Sequence, residues 1–463
     1  MKFKIYLSPA VEIPAIGFMN FTLQEVVMHV IIIGAGTGGM CLAHGLRQAN
    51  VSVAVYERYG SRKDGLYGYR VGLDATGGRA LEQCLPPELY KTFVATCARA
   101  PRYFNVLTEK MRTTASIPLG DAGDGERSVS RSTLRQVLFT GMDEVVTYGK
   151  VYTHYTQHSN GTVTAHFSDG TSVDGDVLVS AEGTRSAIRQ QYLPHAEIKD
   201  SGITALATKT ALTPEIREML STEFEQGINL IFGKGGKMGM LHVMEFPWDE
   251  NGRPKDGKDA ELLEVWDGLQ YDNTRDYVNL SVWSAHDHFP AGVTELRGRE
   301  LVQAVLDATA DWDPKLRRMI ELSDPDSAFP LRISTSVPIE AWKPTNITLL
   351  GDAIHTMTPG QGVGANTALR DAALLCTKLT AAARGEQELI DAIGEYEAEI
   401  VPYGFARVAD SLDNNGTSGD DPLYSPVMGR FALFAARRYF SLTAKIPGLR
   451  RKFLADLRDY RDA

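Results

Sequence analysis

A glycine-rich segment between two apolar runs constrains the fold of this chain more than any other feature. Residues 29–33 read HVIII, a run typical of a buried parallel strand, and Gly34, Gly36 and Gly39 follow it in the spacing Gly-x-Gly-x-x-Gly. The stretch after Gly39 has helical apolar periodicity, and residues 51–56 predict a second strand. This order predicts a βαβ unit that opens on a phosphate-binding turn.

Each residue of the motif has a physical role in a phosphate-binding turn. Gly34 permits the tight turn, Gly36 lets the backbone approach a pyrophosphate, and Gly39 lets the helix pack closely on the strand. The helix N-terminus offers free N–H donors and a partial positive charge. Glu57, 18 residues past Gly39, ends the second strand and can accept hydrogen bonds from an adenosine ribose.

Composition excludes several classes of protein. The chain has 463 residues, is 43% hydrophobic and carries a formal charge of −10, so it can bury a core and offers no general positive footprint for nucleic acid. Its 4 cysteines form no CxxC pair, which argues against a disulfide framework or a metal site and favours reduced thiols in the cytoplasm. We find no apolar run long enough for a transmembrane helix.

The nucleotide-type strands recur near the beginning, the middle and the end of the chain. We therefore expect an α/β, Rossmann-like cofactor-binding domain that is discontinuous, over 28–198 and 340–412, with a mixed or antiparallel sheet inserted at 199–339 as a substrate domain. A helical extension should follow at 413–463. Residues 1–27 should form a poorly ordered leader, with Met28 as an alternative start.

A second motif near the C-terminus indicates which dinucleotide is bound. Asp352 ends an apolar strand, and a glycine-rich segment from Pro359 to Asn366 opens a helix at Gly364. A carboxylate at a strand end can bind a ribityl hydroxyl, and a glycine-rich helix start can present N–H groups to a flavin ring. These features favour FAD over NAD as the resident cofactor.

Three segments together carry a family resemblance. In chain order they are HVIIIGAGTGGMCLAHGL with Glu57, DVLVSAEGTRSAIR, and LLGDAIHTMTPGQGVGANTALRDAALL. From Met28 to Leu412 the chain resembles the single-component FAD-dependent monooxygenases, the aromatic-hydroxylase class typified by para-hydroxybenzoate hydroxylase, salicylate hydroxylase and the tetracycline-inactivating monooxygenases.

The resemblance implies roles for individual residues. Gly34, Gly36 and Gly39 would hold the FAD pyrophosphate, Glu57 the adenosine ribose and Asp352 the ribityl chain. Further residues would reach the FAD or its ring: Arg70, Arg131, Pro359, Gly364 and Asn366. Arg70 is equally well interpreted as a solvated arginine.

One position departs from the family pattern. The middle motif usually begins Asp-Gly, and here it begins with Glu182, followed by Gly183. The motif is thought to touch the FAD pyrophosphate and to matter for NAD(P)H use. Glutamate keeps the charge but lengthens the side chain, so we expect FAD binding to survive and NAD(P)H use to be affected.

The implied activity is oxygen insertion. NAD(P)H would bind transiently and reduce FAD, and O₂ would then form a flavin C4a-hydroperoxide that hydroxylates or epoxidises an aromatic or polycyclic small molecule, in secondary metabolism or in aromatic catabolism. No second Gly-x-Gly-x-x-Gly fingerprint exists, which argues against reductases with two such domains. Two alternatives remain open: an FAD-dependent dehydrogenase or reductase without oxygen insertion, and a catalytically silent FAD-binding module.

No catalytic base is evident from the pattern. His242, His286 and His288 are weak candidates by chemistry, and His355 is better interpreted as structural. The substrate itself cannot be read from the sequence.

The charge is uneven along the chain. Residues 426–463 contain nine Lys or Arg and three Asp, so the remainder carries −16. Aromatic residues alternate with these arginines, which is compatible with an amphipathic helix on a membrane surface. We favour packing of this segment on the acidic body, with arginine stems covering apolar surface.

Overall fold

The computed structural model describes residues 28–65, 68–119, 126–247, 276–360, 362–413 and 416–462. The expected leader at 1–27 lies outside these residues. So does the polar insertion at 249–261, whose composition predicts a surface loop. In the described part, no helix is both long and apolar enough to cross a bilayer.

The strands, in chain order, are β1 (His29–Ile33), β2 (Ser52–Tyr56), β3 (Arg70–Leu73), β4 (Tyr103–Thr108), β5 (Thr113–Pro118), β6 (Arg127–Ser130), β7 (Val146–Thr147), β8 (Tyr152–Gln157), β9 (Val163–Phe167), β10 (Ser172–Gly175), β11 (Val177–Ser180), β12 (Ile198–Ala211), β13 (Gly227–Phe232), β14 (Met238–Met244), β15 (Tyr277–Ala285), β16 (Phe329–Ser336) and β17 (Ile347–Leu349).

The α-helices are α1 (Thr37–Gln48), α2 (Ala75–Cys84), α3 (Pro87–Ala95), α4 (Arg131–Phe139), α5 (Ala187–Tyr192), α6 (Pro214–Glu218), α7 (Thr222–Glu225), α8 (Gly298–Ala308), α9 (Pro314–Glu321), α10 (Gly364–Ala383), α11 (Leu389–Leu412), α12 (Gly429–Lys445) and α13 (Pro447–Asp462).

A five-stranded parallel sheet forms the first layer, in the order β17-β11-β1-β2-β7. Strand β1 is buried on both faces, which explains its unbroken apolar run. Val30 and Ile32 pack into the helical layer that includes α1 and α10. Ile31 and Ile33 pack against the antiparallel sheet β8–β10 on the opposite side. The expected Rossmann-like βαβ unit is confirmed.

A seven-stranded mixed sheet forms the second unit, in the order β16-β12-β15-β14-β13-β4-β5. Helices α8 and α9 cover one face, with Trp312 and Leu316 in that core. The expected inserted mixed sheet is therefore present, but it also contains the hairpin β4–β5, which the sequence interpretation placed in the cofactor-binding domain. The hairpin joins because β4 pairs in parallel with β13. The domain boundaries stay a proposal, with 103–118 moved to the large sheet.

Candidate cofactor site

Four chemically important segments follow the carboxyl ends of adjacent parallel strands. The loop from Gly34 follows β1, Glu57 follows β2, Glu182 follows β11, and Asp352 follows β17. Because the strands are parallel, these ends lie on one edge of the sheet, the usual position of a ligand crevice in such folds. The topology thus gathers segments that are hundreds of residues apart in the chain.

The three glycines of the first loop differ in what surrounds them. A Cβ at Gly34, where φ is +105°, would lie 2.4 Å from the Ala181 carbonyl oxygen, and a Cβ at Gly39 would lie 2.3 Å from the Gly34 carbonyl oxygen. Packing within the chain therefore requires both residues. A Cβ at Gly36 would meet no other atom nearer than 3.9 Å. The protein leaves open space at Gly36, as the close approach of a ligand to this backbone would require.

Two helix N-termini lie side by side at this edge. Gly38, in the first turn of α1, packs so closely on α10 that a Cβ there would lie 3.1 Å from the Ala368 carbonyl oxygen. Neither α1 nor α10 has a side-chain N-cap or an acidic residue in its first turn. The free N–H groups and the dipoles of both helices therefore make the crevice favourable for anionic groups.

Glu57 is buried, and both carboxylate oxygens face the glycine-rich loop and its surroundings. Oε2 accepts a hydrogen bond from the Ala35 amide at 2.8 Å, and Oε1 accepts one from the Tyr59 amide at 3.0 Å. Arg135, which the sequence reasoning missed, lies 3.8 Å from Oε2. These bonds use about two of the four lone-pair sites of the carboxylate, which leaves acceptor capacity for a ribose.

Asp352 follows β17 at the same edge of the sheet, close enough to Arg131 for the two charges to interact. Asp352 is exposed to water although protein atoms surround it closely, as expected for a side chain in an open cleft. This confinement raises the pKa of its carboxyl, while His355 and Arg131 act in the opposite direction. A Cβ at Gly364 would lie 3.9 Å from Asp352 Oδ1, so the carboxylate also borders the start of α10.

His355 is structural, as expected, and its partner is Asp371 of α10. Nε2 of His355 lies 2.6 Å from Oδ2 of Asp371, which also accepts the Gly351 amide at 2.8 Å. Burial is the largest single influence and lowers the pKa of His355, but Asp371 and Asp352 together with a backbone hydrogen bond raise it above its usual value. The pair fixes the turn that carries Asp352 against α10.

The remaining members of the glycine-rich segment occupy different surroundings. Pro359 is exposed beside the crevice. Asn366 is buried, and its amide is already engaged: Nδ2 donates to the Gly72 carbonyl at 3.0 Å, and Oδ1 accepts the Asp74 amide at 3.1 Å. Its side chain therefore joins α10 to the end of β3 and the residue that follows it.

Glu182 caps its own turn. Oε2 accepts hydrogen bonds from Ser180 Oγ at 3.0 Å, Ser186 Oγ at 2.8 Å and the Ile188 amide at 3.0 Å. The neighbouring Arg189 is buried and donates to the Ala353 carbonyl at 2.9 Å, which joins this motif to the Asp352 turn. The longer side chain of glutamate thus reaches back to the start of α5, and its carboxylate does not extend into the crevice as a free group.

Arg70 and His242 meet where the ribbon β3–β6 lies on the large sheet. Arg70 Nε donates to Ser128 Oγ at 3.2 Å, and Ser128 Oγ lies 3.4 Å from His242 Nε2. Nδ1 of His242 lies 3.2 Å from the Gly227 carbonyl, so the ring proton sits on Nδ1. Burial, with a contribution from Arg70, holds the pKa of His242 well below its usual value, and the imidazole is neutral. Arg70 is therefore a partly buried member of a polar chain and not a solvated arginine.

His286 and His288 lie elsewhere on the large sheet. His286 bonds Thr204 and Asp200 and lines a surface pocket with Arg332. His288 bonds Ser284 Oγ at 2.7 Å and packs on Tyr424. Neither contacts the strand-end crevice, so the structure gives no support for a catalytic role. Among the described residues, no cluster of His, Cys, Asp and Glu is arranged to hold a metal ion.

Comparison with known proteins agrees with this geometry. Residues 307–408 match the model of an FAD binding domain. A solved structure from Photorhabdus luminescens, described as an FAD-containing monooxygenase, is 33% identical, with 83% of this chain and 96% of that chain covered and a TM-score of 0.70. A Klebsiella pneumoniae structure of HpxO with FAD and uric acid shares the fold at 20% identity and a TM-score of 0.71, over 94% of this chain and 97% of that chain.

Curated sequences extend the comparison. The dual O-methyltransferase/FAD-dependent monooxygenase elcB of Phaeosphaeria nodorum is 31% identical over 80% of this chain and 42% of its own length. The FAD-dependent urate hydroxylase of Klebsiella pneumoniae is 28% identical over 80% of this chain and 85% of its own length. The chain thus spans less than half the length of the first of these relatives. With the crevice, the motif order and these likenesses in agreement, the chain belongs to the FAD-dependent monooxygenases, oxidoreductases whose cofactor is FAD.

Proposed function

We propose that this chain uses NAD(P)H and O₂ to hydroxylate or epoxidise an aromatic or polycyclic small molecule. One observation carries the proposal: the uncapped N-termini of α1 and α10 lie side by side at the strand-end crevice, with open space at Gly36 and with Asp352 bordering the start of α10. The named activities of the relatives, which include a urate hydroxylase, support oxygen insertion into a ring system.

The residues at the strand ends fit FAD. We propose that Gly34, Gly36 and Gly39 admit the pyrophosphate at the start of α1, and that Arg131 neutralises part of its charge. Glu57 would accept the ribose hydroxyls and Asp352 the ribityl hydroxyls. Bound FAD supplies the electron transfer and oxygen activation that side chains cannot perform.

The chain contributes orientation and electrostatics. The N–H groups at the start of α10, near Gly364, would face the flavin ring and stabilise negative charge that develops there. The aromatic residues Tyr69 and Phe329, where β3–β6 meets the large sheet, would provide an apolar wall for a flat substrate. Arg70, held by Ser128, would provide a fixed positive group at the same seam.

The reaction balances as follows: a substrate C–H bond, O₂, NAD(P)H and a proton give a C–OH group, NAD(P)⁺ and water. The test is product analysis with ¹⁸O₂. The holoenzyme is supplied with NADPH or NADH and a panel of urate, salicylate and dihydroxynaphthalene. We expect a hydroxylated product with one labelled oxygen, and no label when the ¹⁸O is supplied in water. Cofactor oxidation that yields only hydrogen peroxide or a dehydrogenated product across the panel would instead favour the reductase or dehydrogenase alternative.

A further inference from the structure

The C-terminal helices are attached to the large sheet by one face of α12. Phe440 is buried, with its ring centroid 5.7 Å from that of Phe232 and 6.3 Å from that of Phe104. Arg437 donates to Glu109 Oε2 at 2.6 Å from the same side of the helix. The expected packing of this segment on the body therefore occurs, and it fixes which face of α12 points outward.

The outward face of α12 carries apolar side chains. Val427, just before the helix, and Phe431 and Phe434 within it are 76%, 69% and 71% exposed. With Arg438 and Lys445 they recur at intervals of four, three, four and seven residues, so all five lie along one side of the helix. Met428 is also exposed beside them. An ordinary surface helix places polar residues there, so this helix is apolar on both faces.

Exposed cations lie along α12 and at the start of α13. The set comprises Arg430, Arg438, Lys445, Arg450, Arg451 and Lys452. Among described residues none of them forms an ion pair, whereas Arg437 on the inner face does. The rest of the chain carries −16, so the positive charge is concentrated on this surface.

We propose that this outward face, from Val427 through α12 to the start of α13, docks on an anionic lipid surface. Phenylalanine rings on a convex helix can enter the boundary between headgroups and acyl chains, and flanking Lys and Arg then lie at the level of the phosphates. A second copy of the chain fits less well, because a two-fold contact through this face would bring the same cations together. The contact would be peripheral.

The experiment is vesicle flotation of the full-length flavoprotein. Vesicles of phosphatidylcholine are compared with vesicles of phosphatidylcholine and phosphatidylserine at low and high salt. We expect binding to the anionic vesicles, weak binding to the neutral ones, and release by salt. Phe431→Ser with Phe434→Ser should weaken anionic-vesicle binding by at least about tenfold, because each ring loses its burial in the bilayer.

Matched controls separate docking from folding. Leu331→Ser changes an apolar side chain that is 47% exposed on β16, and it should leave vesicle binding unchanged. Arg438→Glu with Lys445→Glu should abolish the preference for anionic lipid. All variants should keep the wild-type melting temperature and FAD content. Equal binding of wild type to both vesicle types, or no binding to either, would overturn the proposal. So would a concentration-dependent dimer that the double phenylalanine variant abolishes.

Discussion

Nε2 of His355 and Oδ2 of Asp371 are 2.6 Å apart, and both side chains are buried between the turn after β17 and helix α10. Asp371→Asn removes the charge but keeps the shape. Because it leaves a buried His355 without its counter-charge, we expect a loss of about 3 kcal/mol in the free energy of unfolding. Urea denaturation of the FAD-free protein measures it. Glu395→Gln breaks the exposed pair with Lys378, which water screens, and should leave the free energy of unfolding almost unchanged. Equal costs would contradict the assignment.

The loss of unfolding free energy in Asp371→Asn should depend on pH. Since Asp371 raises the folded-state pKa of His355, the pair contributes fully below the unfolded value of about 6.5 and loses its contribution as pH rises through the folded pKa. The difference between wild type and Asp371→Asn should therefore shrink at alkaline pH. A difference that grows with pH would show that His355 is neutral in the folded protein.

Titration of Glu397 should also lower the stability of the protein as pH rises. Glu397 is buried behind β17, accepts a hydrogen bond from Thr348 Oγ1 at 2.9 Å, and burial raises its pKa to about 7. The unfolded chain releases this proton near pH 4.5, so stability is lost as pH rises from there to about 7. Glu397→Gln should stabilise the protein by up to about 3 kcal/mol at pH 8 and much less at pH 5. The exposed Glu399→Gln should show no such gain, and a uniform effect at both pH values would refute the prediction.

Glu182 should matter for its turn more than for the cofactor. Glu182→Ala removes the carboxylate that accepts hydrogen bonds from the Ser186 hydroxyl and the Ile188 amide, and we expect it to cost about 1–2 kcal/mol in unfolding free energy. FAD affinity should change by no more than a few-fold, because the carboxylate is engaged by Ser186 and the Ile188 amide. Flavin fluorescence titration and urea denaturation of one preparation give both values. A large loss of FAD affinity at unchanged stability would show that Glu182 contacts FAD.

Arg131 should act on the cofactor alone. Arg131 is exposed and acts electrostatically on Asp352, which borders the start of α10. Arg131→Met should weaken FAD binding by about tenfold, with a reduced salt dependence, and leave unfolding unchanged. Arg384→Met, at the far end of α10, is the control and should bind FAD normally. An Arg131 variant with wild-type FAD affinity at low salt would show that Arg131 does not contact the cofactor.

The sequence predicts what local patterns determine. Short sequence segments determine the strand, glycine turn and helix around Gly34 and the strand that ends at Asp352. These elements could therefore be predicted from the sequence. The pairing of β4 with β13 joins segments more than 100 residues apart, and no local pattern encodes that choice. Nothing in the local sequence distinguishes Asp371 from other acidic residues on helices. Its pairing with His355 depends on the packing of the turn after β17 against α10. The sequence shows that α12 is basic and aromatic. Which face of the helix is exposed depends on tertiary packing, which local patterns do not predict.

Gly36 and Gly39 offer the most direct test of the crevice as the FAD site. In Gly36→Ala the new Cβ meets no protein atom nearer than 3.9 Å, whereas in Gly39→Ala it would lie 2.3 Å from the Gly34 carbonyl oxygen. Fluorescence titration of the flavin-free protein with FAD should show one site, weakened at least about tenfold in Gly36→Ala with stability within about 1 kcal/mol of wild type. Gly39→Ala should be destabilised even without FAD. Wild-type FAD affinity in a folded Gly36→Ala protein would contradict the account.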